Sequence, residues 1–117
     1  MPVLGYNTPP NIQSPVDTDS ALFITKPTTE AIVTKTANYT LTPVDHTVIF
    51  DGTSLTATLP AASTATRRIY VLVNRNATAL TTSIAYETLT TGITSTTVTA
   101  ASSVWIQSDG INYYQIK

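Results

Sequence analysis

From Asn38 to the C-terminus the chain is a succession of short β-prone runs, each closed by a turn signal before it reaches helical length. "NYTLT" (38–42) is broken by "PVD" (43–45), and "HTVIFD" (46–51) runs into the turn "DGTS". "LTATLP" (55–60) alternates cleanly, so Leu55, Ala57 and Leu59 fall on one face of a strand and Thr56 and Thr58 on the other. "RIYVLVN" (68–74) is apolar almost throughout, the pattern of a strand buried on both faces. "LTTSIAY" (80–86), "GITSTTVTA" (92–100), "SVWIQS" (103–108) and "INYYQI" (111–116) complete the series, and only "AASTATR" (61–67) is compatible with a helical turn. Strands of this length, spaced roughly 8–12 residues apart with turns between them, predict an all-β fold, a small antiparallel sandwich or barrel-like domain.

Composition agrees. About a fifth of the residues are threonine, whose branched Cβ suits a pleated surface that is partly wet. Charged residues make up 11% of the chain and the formal net charge is -1. That excludes the basic footprint of a nucleic-acid binder. It also leaves little charge repulsion to keep the surface apart from partners. With no cysteine, disulfides and thiolate metal sites are excluded. No apolar run approaches the ~20 residues needed to cross a bilayer as a helix, so no membrane partner is expected. The first residues, "MPVLGYNTPP", lack the basic and apolar regions of a secretory signal. The sequons "NYT" and "NAT" therefore carry no weight.

The first third of the chain differs from the rest. Pro2, Pro9, Pro10 and Pro15 interrupt a stretch with neither a two-residue nor a helical period. Proline lacks the amide donor that a central strand or a helix requires. Residues 1–36 are thus read as an extended N-terminal arm, and residues 37–117 as the β domain. Val3, Leu4, Tyr6, Pro9, Pro10 and Ile12 are the candidates for attaching the arm to a neighbouring protein. "ALFIT" (21–25) and "IVTKT" (32–36) are edge strands or an extension of the arm that pairs with another chain.

Catalytic chemistry is hard to assemble from these residues. His46 follows Asp45, but neighbours on a strand point to opposite faces and no serine lies in a nucleophile-elbow context. Asp17 and Asp19 lack the glycine and distal glutamate of a calcium loop. Arg67-Arg68, with Arg75 nearby, is the one basic cluster and reads as a solvated loop or an intersubunit contact. No catalytic residue, metal ligand or cofactor is expected, and the chain is read as non-enzymatic. What remains is aromatic. Tyr and Trp fill small β cores and subunit interfaces, and they also stack on sugar rings. The closing segment "SVWIQSDGINYYQIK" predicts a hairpin with a two-residue Asp109-Gly110 turn. Alternation puts Trp105, Tyr114 and Ile116 on one face and Val104, Ile106 and Tyr113 on the other. A small sandwich needs one buried face per strand, so the second face calls for a covering partner.

The series "YTLT…DHTVIFDGTSLTATLPAAS…RRIYVLVN…SVWIQSDGINYYQI" resembles a small β-rich domain of tailed-bacteriophage structural proteins, found as a terminal module of head and tail fibres and in small capsid-decorating proteins. The resemblance covers Asn38 to Lys117 and rests on the order and spacing of loose motifs. Members often carry Trp near Tyr113 or Tyr114, and glycine where this chain has Arg67-Arg68. The resemblance implies a homotrimeric virion component, on the capsid surface rather than the tail. Its function would be that of a decoration or cement protein, or a head fibre, binding the major capsid protein or other virion proteins. The alternative is a tail-fibre or baseplate module whose tip reads host-surface glycans. In either case Trp105, Tyr113, Tyr114 and Ile116 are the candidate trimer-interface residues.

Overall fold

A computed structural model describes residues 29–117. Nine strands of this region form one sheet that curls into a nearly closed barrel. They are β1 (Ile32–Lys35), β2 (Tyr39–Thr40), β3 (Thr47–Phe50), β4 (Thr56–Thr58), β5 (Ile69–Asn74), β6 (Leu80–Glu87), β7 (Thr94–Val98), β8 (Ser102–Ser108) and β9 (Tyr113–Gln115). Among the described residues one 3₁₀ turn, Ala62–Thr64, falls within the segment that the sequence marks as helix-compatible. The strand order around the barrel is β1-β3-β5-β8-β9-β6-β4-β2, with β7 paired to β6 off this path.

The all-β, barrel-like class is the expected one, but the expectation of antiparallel pairing is corrected. Five of the eight strand pairings are parallel: β1 with β3, β3 with β5, β2 with β4, β4 with β6, and β6 with β9. The chain from β1 to β6 alternates between two wings. Odd-numbered strands stack in parallel on one wing and even-numbered strands on the other. Short loops can link parallel neighbours in this way because every connection passes through the opposite wing, so no crossover helix is needed. The apolar run of β5 serves both faces of the sheet: Tyr70 and Leu72 fill the core, while Ile69, Val71 and Val73 lie on the outer face, Val71 buried beside Trp105 and the other two half-buried.

The C-terminal strands tie the wings together. β8 runs antiparallel to β5, pairing Tyr70 with Ile106 and Leu72 with Val104. β9 is antiparallel to β8 on one side and parallel to β6 on the other, where Tyr113 faces Tyr86. The loop between β8 and β9 has four residues rather than the expected two. Asp109 Oδ1 accepts the N–H groups of Ile111 and Asn112, and the Asp109 N–H donates to the Asn112 carbonyl. This Asx-type closure needs positive φ only at Gly110 (φ 95°), not at both central positions of a two-residue turn. A Cβ on Gly110 would also press on Thr66 Oγ1 at 3.2 Å.

The core is one cluster inside the barrel, with Val48, Phe50, Leu72, Ile106, Tyr70 and Tyr113 at its centre. Tyr70 and Tyr113 lie 6.2 Å apart between ring centroids, and each satisfies its hydroxyl on a loop carbonyl: Tyr70 on Thr42, Tyr113 on Pro60. At the open end of the sheet, Lys35 Nζ sits over the Tyr39 ring at 4.3 Å, drawing the ends of β1 and β2 together. Beside it, Gly52 approaches the Thr36 carbonyl so closely that a Cβ would stand 2.8 Å from that oxygen. Strand β1 lies within the first 36 residues, so the sheet begins before the expected boundary. "IVTKT" supplies an edge strand of this chain's own domain, because its apolar Val33 packs against the core beside Val48.

Burial, with the neighbouring Tyr70 adding to it, pushes the Tyr113 hydroxyl up to about 12. An unfolded tyrosine ionises near pH 10. Folding therefore keeps a proton that the unfolded chain gives up between roughly pH 10 and 12, and stability falls as pH rises through that window. Tyr113→Phe removes this linkage together with the bond to Pro60. Its stability is expected to be lower by about 1 kcal/mol at neutral pH and to decline less steeply in alkali. Urea denaturation across the pH range checks both.

Candidate functional site: an apolar outer face and the groove at its end

The two wings of the barrel present different surfaces to solvent. On the even-numbered wing the outward positions are mainly hydroxylic: Thr56 and Thr58 on β4, Thr81 and Ser83 on β6 ahead of Ala85 and Glu87, Thr94 and Thr97 on β7. On the other wing they are mostly apolar and in register. One row across the sheet reads Ile32, Thr47, Val71, Trp105. Ile116 extends it, donating its N–H to the Trp105 carbonyl. A second row reads Thr34, Ile49, Val73, Ser103, and a third reads Ile69, Gln107, Tyr114. Trp105, Ile49, Ile69 and Val73 are half-buried, while Ile32 is 65%, Ile116 43% and Tyr114 40% exposed.

Trp105 is the centre of this face. His46 meets its ring edge-on at a centroid distance of 6.3 Å, and Lys117 Nζ lies 5.3 Å from its centroid. The separation of the two hairpin faces holds as expected: Trp105, Tyr114 and Ile116 face outward, Val104, Ile106 and Tyr113 inward. Tyr113 leaves the candidate interface set. It is fully buried on a strand paired to β6, and its own domain uses its hydroxyl. The arm candidates Val3, Leu4, Tyr6, Pro9, Pro10 and Ile12 lie outside the described residues.

The His46–Asp45 neighbourhood is structural. Asp45 Oδ2 accepts bonds from the Tyr39 hydroxyl, the Thr42 N–H and the Thr42 hydroxyl, while His46 Nδ1 pairs with Thr47 Oγ1. The carboxylate thus pins the loop before β3. Arg68 braces the same loop by donating to the Asp45 carbonyl. Among the described residues no three His, Cys, Asp or Glu side chains gather as metal ligands.

Arg67 is different. It is exposed and adopts φ 69°, the left-handed conformation usually left to glycine. Its N–H donates to the Ser108 carbonyl, and its own carbonyl accepts from Gln107 Nε2. These bonds clamp the turn before β5 to the end of β8. Between the two segments lies an open groove of about 410 Å³, bordered by Thr66, Arg67, Gln107, Asp109, Tyr114 and Ile116. The N–H groups of Asn112 and Ile111 hold the Asp109 carboxyl below the usual carboxylate range, so it stays charged at the groove's rim. The sequence offers two signals for these missed features. Ile49, Ile69 and Val73 alternate in phase with buried neighbours, and Arg67-Arg68 is a charged pair directly before an apolar strand. Neither signal reveals a surface until the strand register is known.

Comparisons with family models, with curated proteins and with solved structures return no match.

A left-handed arginine costs roughly 1–2 kcal/mol relative to its relaxed backbone, and glycine forfeits about 0.5–1 kcal/mol through its freer unfolded chain. Arg67→Gly is therefore expected to leave stability unchanged or to raise it by up to about 1 kcal/mol in urea denaturation. A clear destabilisation would mean that the arginine side chain supports the fold.

Proposed function

We propose that this chain is a non-enzymatic structural subunit that works by being assembled. Its apolar wing is covered by further copies of the same chain in a homotrimer. The observation that carries this reading is the asymmetry of the barrel. One outer flank is mainly threonine and serine, and the other places Ile32, Ile49, Val71, Val73 and Trp105 in aligned rows. Both flanks belong to the same small sheet, so general composition does not account for the difference. Exposed contiguous apolar surface marks interaction sites, and burying it stabilises by roughly 25 cal/mol per Å². Trp105 is the kind of central aromatic anchor that dominates interface energetics, with Tyr114 and Ile116 at the margin. A heterologous contact repeated around a three-fold axis closes on itself, leaving no free apolar edge to propagate.

The finer reading follows from the resemblance to phage structural modules. The subunit decorates a virion, on the capsid surface, and residues 1–28 upstream of the described domain supply the attachment to the major capsid protein or other virion proteins.

Ile49→Thr, Val73→Thr and Trp105→Thr place strand-favouring threonine at these positions while removing the apolar rows. The combined variant is expected to run as a folded monomer in light-scattering chromatography at concentrations where the unaltered chain is a trimer. A monomeric unaltered chain would sink the assembly reading. Deleting residues 1–28 is expected to abolish binding to shells in co-sedimentation while leaving the trimer and its thermal unfolding intact. Full shell occupancy by the truncated chain would remove the role given to the arm.

A further inference from the structure

We infer that the groove between the 66–67 turn and the β8–β9 hairpin receives the β6–β7 hairpin of a neighbouring copy of this chain. The inference rests on the homotrimer reading and names the second surface that such a trimer requires. A ring closed by a three-fold axis joins unlike patches, so what one copy offers the next receives. The apolar wing and the groove at its end form one continuous patch, because Tyr114 and Ile116 border the groove and also belong to the wing.

The other patch is read from exposed large apolar side chains off the wing. Among the described residues these are Val44, Ile111 and the pair Leu89 and Ile93. Val44 stands alone on the loop before β3, and Ile111 lies in the hairpin loop whose Asp109 forms the groove's own rim. Leu89 and Ile93 sit together on the turn between β6 and β7, 68% and 53% exposed. Residues 88–93 carry no charge, and none of them lines the groove of its own chain.

This turn is pre-formed. The Thr88 N–H donates to the Ile93 carbonyl at 2.8 Å and the Ile93 N–H to the Thr90 carbonyl at 3.1 Å. The Thr88 hydroxyl donates to the Ile93 carbonyl and accepts the Thr90 N–H. Gly92 supplies φ 81°, and a Cβ there would meet no atom within 4 Å, so the tip stands clear of the barrel. The groove is fixed as well. Ser108 Oγ donates to the Ala62 carbonyl at 2.7 Å and accepts the Gly110 N–H, while Arg67 and Arg68 bond the Ser108 backbone on both sides. Surfaces held on clamped turns lose little freedom when they meet.

The chemistry of the two surfaces matches. Leu89 and Ile93 cover Tyr114 and Ile116, the apolar side of the groove. Its polar side carries both signs of charge, so an ionic partner meets repulsion from either Arg67 or Asp109. An uncharged turn with free backbone groups meets none. Among the described residues the backbone N–H and carbonyl groups of Thr91 and Gly92 bond to no other residue. The N–H groups can donate to Asp109 Oδ2, which the loop leaves open, and the carbonyls can accept from the Arg67 guanidinium. Neither charge is then buried without a partner.

The test uses the full-length protein with photoreactive benzoylphenylalanine in place of Thr91. After irradiation, covalent dimers and trimers are expected, with the attachment mapped by mass spectrometry to residues 66–67 or 107–116 of the neighbouring copy. Separately, Leu89→Ser combined with Ile93→Ser is expected to raise the dissociation constant of the trimer at least about tenfold in a light-scattering dilution series. Urea unfolding of the variant at monomeric dilution should match that of the unaltered chain, since neither side chain is part of the core. Adducts confined to other surfaces, or a trimer undiminished by the double substitution, would overturn this inference and leave the assembly reading standing. A chain that is monomeric throughout overturns both.

Discussion

The two wings of the barrel share no strand pairing until the C-terminal hairpin enters between them. Strands β1, β3 and β5 form one parallel stack and β2, β4 and β6 the other. Each stack alone would leave an open row of backbone donors and acceptors along β5 and β6. Strands β8 and β9 occupy that gap, β8 bonded to β5 and β9 to β6, with the two bonded to each other. Their inward side chains, Val104, Ile106 and Tyr113, complete the core at the same place. Backbone pairing and apolar burial therefore converge on the last sixteen residues of the chain, 102–117. These contacts are far apart in sequence, so closing the barrel must meet the loop-closure cost of long-range pairing before its burial is gained.

The same hairpin creates the outer surface. Because alternate residues on a strand point to opposite faces, the strand that seals the core with Val104 and Ile106 must show Trp105 and Gln107 to the outside. Register then aligns Trp105 with Val71 and Gln107 with Ile69, and an apolar wing results. The opposite wing carries mainly threonine and serine on its outer face. The clamp around Ser108 that fixes the hairpin to the 65–68 turn also shapes the groove beside Arg67. Core closure, apolar wing and groove are consequences of one element.

Much of this was legible in the sequence. The positions of β3, β4, β6 and β8, the 3₁₀ turn and the two faces of the C-terminal hairpin follow from alternation and turn chemistry, which are local. His46 and Asp45 fall in the loop before β3 and not on a strand, so what separates them is not alternation but the commitment of the Asp45 carboxylate to Tyr39 and Thr42. The parallel winding was not legible. Antiparallel pairing is the usual outcome for short strands separated by short loops, and local pattern does not reveal that consecutive strands lie on opposite wings. The apolar run of β5 reflects its two apolar faces, Tyr70 and Leu72 inside and Ile69, Val71 and Val73 outside, and carries no trace of the parallel pairing. Tyr113 and Tyr114 look equivalent by type, and only the bond to Pro60 and the packing inside the barrel distinguish core from surface.

By itself the sequence determined that the chain from Asn38 onward is a series of short strands, with a charge-poor, threonine-rich surface and a C-terminal hairpin carrying bulk on both faces. Those properties arise from side-chain branching, backbone restriction at proline and glycine, and two-residue periodicity, all of which act within a few residues. The tertiary structure decided which strands are neighbours. That choice turned scattered Ile, Val and Trp positions into one apolar wing and brought Arg67 beside Tyr114 across forty-odd residues of chain. It lies beyond local pattern because it is set by competition among all possible pairings for a single buried core.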